Sequence, residues 1–461
     1  MCVADGCPGG IIALALGMSK KSNSIPDMMS FFRKVSIDTF SKTNAGWLSQ
    51  FTPFKKFATY SLMFFRIVDS MYPSDELVRG VKTFFGDTSL FAPALSRLPQ
   101  ATRVAVTSAK DMGDTECLIT SYNHPEPNPN AIFEREEDTK KDMKIWEASL
   151  ATSAAPPYLA AFEKEETKTT YVDGAVYANC PAQVALTEVE NLWPHNGAQL
   201  DTLLSLGTGV QGVKDRKIPS IVNFGFFRAV RGMIQRQLDS KSTWETFSRQ
   251  HAPINIRSRL RRFDPPLKGD YVDIYDCARI PDLVDAATTW IEGSGKMMIE
   301  EMANILVANL FFFEPDSEEI VHAETHLQAP SEVYETLPGS IRCRVAYDNP
   351  DLKKLLGKTV QGFFYAEVDS NDIDEVTRVQ NWKPIHPRDT LPIDMTIFEL
   401  GYNGRSIEKF RLPYRLTVKK PSHAYQTLGV KLRRSDRIMA ISGFPCKLSD
   451  LQKRSKMRWL Q

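Results

Sequence analysis

The sequence predicts an α/β domain followed by a smaller, β-rich domain, and three patterns support this. Two adjacent glycines, Gly9 and Gly10, follow a short turn and lead into the apolar run 11–18, which predicts a buried helix. The β-branched run 103–109 and the apolar run 200–206 predict buried strands. Toward the C-terminus, short strand patterns alternate with turn residues. We therefore expect helices packed on a sheet in the first domain.

Composition places the chain among ordinary globular proteins and excludes several classes. It has 461 residues, of which 25% are charged and 42% are hydrophobic, with a net charge of +1. This length suits two domains, and the balanced charge gives no general attraction for nucleic acid. The seven cysteines never form a C-x-x-C pair, so we expect no disulfide, no metal site and a cytoplasmic location. The apolar run 11–18 is too short to span a membrane.

The first candidate site is the turn before the apolar helix. A glycine-bounded turn between a strand and a helix is typical of a nucleophile elbow, whose usual pattern is G-x-S-x-G. Gly9 matches the last glycine, Cys7 takes the place of the serine, and Asp5 takes the place of the first glycine. Pro8 and Gly10 complete the turn. The alternative is a turn without chemical function that precedes a core helix.

A second candidate site lies at the end of a later strand. Residues 118–122 are predicted to pair with the preceding strand, and the small residues of 145–158 predict a closely packed helix that ends at two prolines. The next predicted strand ends at Asp173 and Gly174, where an acidic side chain can face a site. The alternative is an ordinary aspartate in a turn.

Two glycine-rich segments imitate nucleotide-binding loops, and we reject both. Residues 207–212 fit G-x-G-x-x-G after the strand 200–206, but 213–219 has no helical periodicity and ends in proline. Residues 293–296 resemble part of a phosphate-binding loop, but Met297 stands where Ser or Thr is required. We therefore expect no nucleotide cofactor.

Two basic, aromatic segments are candidates for contact with an anionic surface. Residues 25–85 are predicted to be mostly helical, and 51–68 within them is rich in phenylalanine and carries basic residues. Residues 214–262 hold twelve Lys and Arg against three Asp and Glu. Basic and aromatic side chains together favour an anionic lipid surface. Nucleic acid, core packing and a solvated helix remain alternatives.

The C-terminal part has the strand pattern of a small β-sandwich. Six runs separated by turn signals are predicted as strands: 341–345, 362–368, 395–400, 412–418, 428–432 and 437–441. We predict a first domain at 1–320, a linker at 321–338, a β-rich domain at 339–445 and a basic tail at 446–461. The sequence of the β-rich domain contains no evident catalytic cluster.

Several of these segments together resemble the patatin-like phospholipase family, in particular its fungal members with the FabD/lysophospholipase-like fold. They occur in the family's order: the Gly-Gly elbow, A-T-S-A-A-P-P at 151–157, D-G-A at 173–175 and L-L-S-L-G-T-G at 203–209. The resemblance covers roughly residues 3–320. It implies three layers, with helices on both faces of a mixed, mainly parallel sheet.

The resemblance implies hydrolysis of lipid acyl esters by a Ser/Asp dyad, with no catalytic histidine and no cofactor. By position, Asp173 is the base, with Gly174 and Ala175 completing its motif, and Cys7 occupies the nucleophile position before the elbow residues 8–10. We expect Cys7 and Asp173 to face each other across strand ends. The implied partners are a phospholipid or other acyl-ester substrate and a peripheral membrane surface, without nucleic acid.

Two departures from the family pattern predict weak or absent hydrolysis. Cys7 replaces the serine, and Asp5 and Asp173 disfavour its thiolate form by like-charge repulsion. The glycine-rich oxyanion loop has no counterpart, and we expect it upstream of Met1 in a longer chain. Loss of one oxyanion donor alone costs about 10²–10³ in rate in a serine protease. The alternative function is a non-catalytic relative that binds lipid or a membrane surface.

Overall fold

The computed structural model divides the chain into two compact units. The N-terminal unit comprises Met1–Leu192, Leu206–His251 and Asp264–Thr289, and the C-terminal unit comprises Trp193–Ser205, Ala252–Phe263 and Trp290–Gln461. The structure describes residues 2–4, 8–18, 24–42, 70–91, 102–111, 114–124, 133–136, 142–156, 158–178, 180–193, 200–211, 240–267, 272, 274–316, 321–325, 332–345, 354, 356, 358–368, 381–385, 396–400, 406–419 and 425–451.

The helices of the N-terminal unit begin directly after a short strand. This strand is β1, Cys2–Ala4, and the first helix is α1, Pro8–Met18. The helices that follow are α2, Ile25–Phe40; α3, Asp75–Phe85; α4, Ile145–Ser153; α5, Ala182–Leu192; and α6, Ser240–Thr246. The helix predicted at 145–158 is therefore present as α4 and ends shortly before the two prolines, as expected.

The sheet of the N-terminal unit is built around β2, Val104–Lys110. The strand β3, Thr115–Thr120, pairs with β2 as an antiparallel hairpin, which confirms the pairing predicted from the sequence. The strand β5, Thr169–Asp173, also pairs antiparallel with β2, and β4, Phe162–Lys164, pairs with β5. The strand β1 pairs parallel with β2.

The α/β class is confirmed, but the expected mainly parallel sheet is wrong for the described strands. Among them, β1 and β2 form a parallel pair, whereas β2–β3, β2–β5 and β4–β5 are antiparallel. For β2–β3 and β4–β5, the physical reason is the length of the connections. The turns that join β2 to β3 and β4 to β5 are short, and a short turn can only reverse the chain, whereas a parallel pair needs a long crossover.

One apolar core joins four helices to β2. It contains residues of α1, α2, α3 and α4 together with Val104 and Val106 of β2. Leu14, in the middle of α1, is fully buried, so the predicted buried helix is confirmed on this face. Ile12 and Leu16, which lie one turn apart on α1, are 44% and 47% exposed.

Two short strand pairs follow α5. The strand β6, Leu203–Leu206, confirms the strand predicted at 200–206 and pairs with β8, Leu260–Phe263. The strand β7, Val210–Gln211, pairs with β9, Pro266–Leu267. In the described end of the basic segment, arginines bind nearby backbone: Arg257 donates to the carbonyl of Ala252, and Arg259 donates to that of Leu200.

The C-terminal unit contains two antiparallel sheets preceded by helices. The helix α7, Ile280–Glu292, is shared by the two units, and α8, Lys296–Ala308, follows it. One sheet contains β10, Phe311–Pro315; β11, Val321–Thr325; β12, Glu332–Cys343; β15, Thr396–Leu400; and β16, Ser406–Lys419. The other contains β13, Val360–Val368; β14, Lys383–Pro384; β17, Tyr425–Leu432; and β18, Ile438–Ala440.

The inner faces of these two sheets share one core, as expected for a sandwich. Phe311 of the first sheet contacts Phe363 of the second, with ring centroids 5.0 Å apart, and Phe410 lies 5.9 Å from Phe363. Each of the six runs predicted as strands overlaps a strand of the structure. The β-rich character of the C-terminal part is therefore confirmed.

Strands also occupy the segment predicted as a linker. Both β11 and the beginning of β12 lie within 321–338. The acidic composition of this segment indicated a linker, but β11 is an edge strand that pairs with β12 alone among the described strands. Charged side chains are compatible with an edge strand, because its outer side faces solvent.

Some predictions concern residues that the structure does not describe. The aromatic run 51–68 and residues 214–239 of the basic segment lie outside the described ranges. Within those ranges, no helix combines the length and the apolar character that a membrane span requires.

Replacement of Phe311 by alanine should lower the free energy of unfolding by about 3–5 kcal/mol, because its ring fills the middle of the sandwich core. Phe311 is 0% exposed and contacts Phe363 and Phe410. Denaturant unfolding of the full chain measures the loss. The matched control is Phe312→Ala, one residue along on the opposite, half-buried face of the strand. Equal losses in the two variants would contradict the assignment of the core.

Candidate active site

Two strands end beside the middle of β2, and their ends define the candidate site. Since β3 occupies one edge of β2, β1 and β5 share the other edge. The parallel strand β1 ends at Ala4, opposite Val106, and the antiparallel strand β5 ends at Asp173, opposite Ser108. The two strands therefore run toward each other and end about 7 Å apart along β2, on either side of Thr107.

Asp173 is the last residue of β5, and the surrounding backbone holds it in place. Its N–H donates to the carbonyl of Ala154, just beyond α4, at 2.8 Å. Its Oδ1 accepts the N–H of Ala175 at 2.8 Å, in the 3₁₀ turn Gly174–Val176. Only 4% of Asp173 is exposed. A fixed carboxylate at the end of a strand has the geometry that a general base requires.

Glycine is needed at two positions because each approaches another segment closely. A Cβ on Gly174 would lie 2.4 Å from the carbonyl oxygen of Thr107. The hydroxyl of Thr152, on α4, donates to that same carbonyl at 2.8 Å. A Cβ on Gly10, in α1, would lie 2.4 Å from Cγ2 of Thr152. Gly10 and Gly174 are far apart in the sequence, and contacts through Thr152 and Thr107 bring them together.

Buried hydroxyls join α4, β2 and β5 beneath the site. The hydroxyl of Ser108 lies 3.0 Å from the carbonyl of Ala151 and 2.9 Å from that of Val172, and it can donate to either. Ser149 and Ser153 donate to carbonyls one turn earlier in α4. Such short side chains let α4 lie close against the sheet, as the small residues of this segment predict.

A second buried polar cluster holds α5, the helix that follows the Asp173 turn. Glu188 of α5 accepts the hydroxyl hydrogen of Tyr122 at 2.6 Å and pairs with Arg135. Nε2 of His124 lies 3.3 Å from the same carboxylate. Burial is the main cause that raises the pKa of Tyr122, so its hydroxyl stays protonated and able to donate. The sequence analysis did not single out this cluster.

The structure brings together only part of the predicted site. Asp173, Gly174 and Ala175 lie at the end of β5 as expected, and Gly9 and Gly10 lie in the first turn of α1. Residues 5–7, with the predicted nucleophile Cys7, lie outside the described residues, so the pairing of Cys7 with Asp173 stays a prediction.

Sequence reasoning missed the hydroxyl side chains that support the site. Thr107 and Ser108 lie in a strand whose apolar neighbours suggest only core packing, and Thr152 lies in a small-residue helix. Two pairs of adjacent hydroxyl residues, Thr107-Ser108 and Thr152-Ser153, lie in segments predicted to be buried, and this pattern could have indicated them. Each needs a hydrogen-bond partner inside the protein or water, which points to a specific contact between the segments.

Cys117, Cys277 and Cys343 have the environments of structural thiols. Burial raises the pKa of the Cys117 thiol to about 12, and it is also the main cause that raises the pKa of Cys277 and Cys343. A thiol must ionise to act as a nucleophile, so these three are unsuited to that function at neutral pH. Among the described residues, no group of three His, Cys, Asp or Glu side chains is arranged to hold a metal ion.

The two glycine-rich segments that imitate nucleotide loops have structural explanations. After β6, the N–H of Gly209 donates to Oδ1 of Asp264 at 2.8 Å, and a Cβ on Gly207 would lie 2.4 Å from that carboxylate. A strand, β7, follows instead of a helix. In the second segment, Gly295 packs under the ring of Trp290, where a Cβ would lie 2.5 Å from ring atoms. Both sets of glycines therefore make room for nearby side chains.

The strand β1 precedes the glycine-containing helix α1, and the buried Asp173 ends a second strand that pairs with β2, so the described elements have the strand–helix order of an α/β protein with a nucleophile elbow. Comparison with known families gives a more specific result. Residues 8–186 match the family model described as patatin-like phospholipase, and this part of the chain belongs to that family. A second family model, described as a domain of unknown function, matches residues 336–456.

Three curated proteins are similar to parts of the chain. Phospholipase A I of Arabidopsis thaliana is 25% identical over 244 residues, which are 45% of this chain and 18% of that protein. The cGAMP-activated phospholipase of Vibrio cholerae is 27% identical over 182 residues, 39% of this chain and 43% of that protein. The calcium-independent phospholipase A2-gamma of Oryctolagus cuniculus is 39% identical over 66 residues, 14% of this chain and 8% of that protein. The chain thus spans less than half the length of each.

Replacement of Gly174 by alanine should destabilise the protein by about 1–3 kcal/mol, because the new methyl group overlaps the backbone of Thr107. The Cβ of the new alanine would lie 2.4 Å from the Thr107 carbonyl oxygen, so the turn that contains residue 174 must move. The shift of the denaturant midpoint measures this cost. The matched control is Gly362→Ala, where the nearest atom is 3.6 Å away, an ordinary contact. If Gly174→Ala were as stable as the control, the close contact between Gly174 and the backbone of Thr107 would be wrong.

Alkaline pH should destabilise the protein partly through Cys117. The thiol pKa is raised from its usual 9.0 to about 12, so the folded state keeps a proton that the unfolded state loses. This contribution is complete below pH 9 and is lost as the pH rises toward 12, by up to about 4 kcal/mol. The measurement is the free energy of unfolding between pH 8 and pH 11 for the wild type and Cys117→Ala. Identical slopes would contradict the burial of this thiol.

Proposed function

We propose that the chain is a lipid acyl hydrolase of the patatin type, acting on a phospholipid or another acyl ester. The observation that carries this proposal is the convergence of β1 and β5 beside Thr107, with Asp173 buried at the end of β5. The phospholipase names of the three relatives support the same substrate class. Since the chain spans only part of each relative, this activity is our inference for the whole protein.

The proposed reaction uses the side chain at position 7 as nucleophile and Asp173 as base. The nucleophile loses its proton to the Asp173 carboxylate and forms a bond to the ester carbonyl carbon. The bond to the alcohol then breaks, and the alcohol leaves with that proton. Water, deprotonated by Asp173, hydrolyses the acyl-enzyme and releases the fatty acid. This scheme needs only one acid–base group near the nucleophile.

The elbow of this chain is poorly equipped to stabilise the oxyanion. In a nucleophile elbow, the residue after the nucleophile normally donates its backbone N–H to the developing negative charge. Here that residue is Pro8, which has no N–H. The N–H groups of Gly9 and Gly10, in the first turn of α1, are the next candidates. We therefore propose that hydrolysis by this chain is slow, both for this reason and because Cys7 replaces serine.

The remaining functional assignments are proposals of the same kind. The chain works without a cofactor or nucleic acid, in the cytoplasm and at the surface of membranes. The first domain, up to about residue 320 by sequence, carries out the chemistry, and the β-rich domain at 339–445 has a separate function. The second candidate function is lipid binding without catalysis, and the cysteine and proline at positions 7 and 8 favour it.

The test compares hydrolysis of a short-chain p-nitrophenyl ester by three proteins: the wild type, Cys7→Ser, and Cys7→Ser combined with Asp173→Asn. We expect hydrolysis near background in the wild type and faster hydrolysis in Cys7→Ser. Asparagine keeps the Oδ1 acceptor for the N–H of Ala175, so the turn survives while the base is lost. The double variant should therefore fall by about 10²–10⁴ in kcat.

Each other outcome has a definite meaning. Hydrolysis by the wild type that disappears in Asp173→Asn would show that the Cys/Asp pair works, and the expected impairment would be wrong. Equal activity with and without Asp173 would contradict its assignment as base. Silence from all three folded proteins would contradict the hydrolase proposal for this chain and favour lipid binding without catalysis. Circular dichroism serves as the control for folding.

A further inference from the structure

The strongest unexplained charge cluster of the described residues lies at one end of the second sheet of the sandwich. It consists of Lys358, Lys431, Arg433, Arg434 and Arg437, and we call it the basic edge. All are exposed except Lys431, which is half-buried. The single acidic residue in the turn between β17 and β18 is Asp436. None of these residues belongs to the candidate active site.

The fold, and not only the sequence, produces this cluster. Leu432, at the end of β17, pairs with Val360, at the beginning of β13. The N–H of Arg433 donates to the carbonyl of Thr359 at 2.8 Å, so the backbone that follows Lys358 is bound to the backbone at the start of the turn 433–437. The turn that follows is fixed by the hydroxyl of Ser435, which donates to a carbonyl and accepts an N–H within the turn.

The five cations have no ion-pair partner within the described part of the chain. The basic residues of the first sheet are different, because Arg342 pairs with Glu314 and Arg411 pairs with Asp316. Uncompensated charges of one sign repel each other, so a protein gains nothing in stability by collecting them at one edge. Their concentration is therefore evidence for an anionic partner.

Apolar side chains lie beside the basic edge on the outer face of the same sheet. Leu428 and Val430 point into the core, so Gly429 and Lys431 point outward. The ring of Trp382 lies over Gly429, where a Cβ would be 2.7 Å from ring atoms, and Ile438 contacts the same position. Trp382 and Ile438 are both half-exposed. The outer face thus combines an indole, an aliphatic side chain and cations.

We propose that this face of the C-terminal unit docks on a bilayer that contains anionic phospholipids. Lysine and arginine are attracted to the negative surface of such a bilayer, and each contributes roughly a fivefold increase in binding. Tryptophan favours the boundary between headgroups and acyl chains. A nucleic acid would match the charge, but a phosphate backbone offers no comparable environment for the aliphatic Ile438. The docking surface does not depend on the proposed hydrolysis, since it lies outside the site.

The experiment measures binding of the full chain to vesicles of phosphatidylcholine alone and of phosphatidylcholine with phosphatidylserine, by co-sedimentation. We expect binding only to the mixed vesicles, at about 0.1 M salt, and its loss at about 1 M salt, where the screening length falls to about 3 Å. The variant Arg433→Gln, Arg434→Gln, Arg437→Gln should bind roughly 100-fold more weakly.

The matched control removes three exposed cations from the N-terminal unit, by Arg33→Gln, Lys34→Gln and Lys42→Gln, all outside the two basic, aromatic segments 51–68 and 214–262. It has the same net charge as the first variant and should bind the mixed vesicles like the wild type. Equal weakening in both variants would overturn the proposal, because only net charge would then matter. Unchanged binding in the first variant, or binding to duplex DNA but not to vesicles, would also overturn it. Hydrolysis of a soluble short-chain ester, measured in parallel, shows separately whether the proposed catalytic function holds.

Discussion

The backbone carbonyl of Thr107 is the point on which the candidate site depends. Thr152 donates its hydroxyl to this carbonyl, and Gly174 packs against the same peptide group. Gly10 of α1 packs against Thr152 of α4, so α1 is connected to this carbonyl through the side chain of Thr152. Neither contact tolerates a larger side chain, because the available space is less than the distance that any Cβ contact requires. The first turn of α1 and the turn that carries Asp173 are thereby held to a single strand position.

This constraint has a chemical consequence. A general base works only if it is held within reach of the proton that it accepts. Backbone helps to orient Asp173, because the carbonyl of Ala154 accepts its N–H and its Oδ1 accepts the N–H of Ala175. Such support persists whether the nucleophile is serine or cysteine. The architecture of a patatin-like domain can therefore be retained while Cys7 and Pro8 alter the chemistry of the elbow itself.

The C-terminal unit is stabilised mainly by apolar packing between two sheets. Its two sheets are held by aromatic and aliphatic side chains that meet in one core, with Phe311 and Phe363 at its centre. Nothing in that core requires the cations at the basic edge. Exposed cations that have no acidic partner within the described residues are those most open to an explanation by binding. The unit therefore combines a conventional sandwich with a surface whose composition is set by something outside the chain.

The sequence by itself determined the element types, the strand end at Asp173 and the β-rich second part, because these depend on local periodicity and turn residues. It did not determine how strands pair, and the mainly parallel sheet and the linker at 321–338 were both expected from composition and family pattern. Only the tertiary structure decided that β1 and β5 end on either side of Thr107, that Ser108 and Thr152 bind carbonyls of other elements, and that the N–H of Arg433 binds the carbonyl of Thr359. The physical reason is that these contacts join residues distant in the chain, which no local pattern encodes.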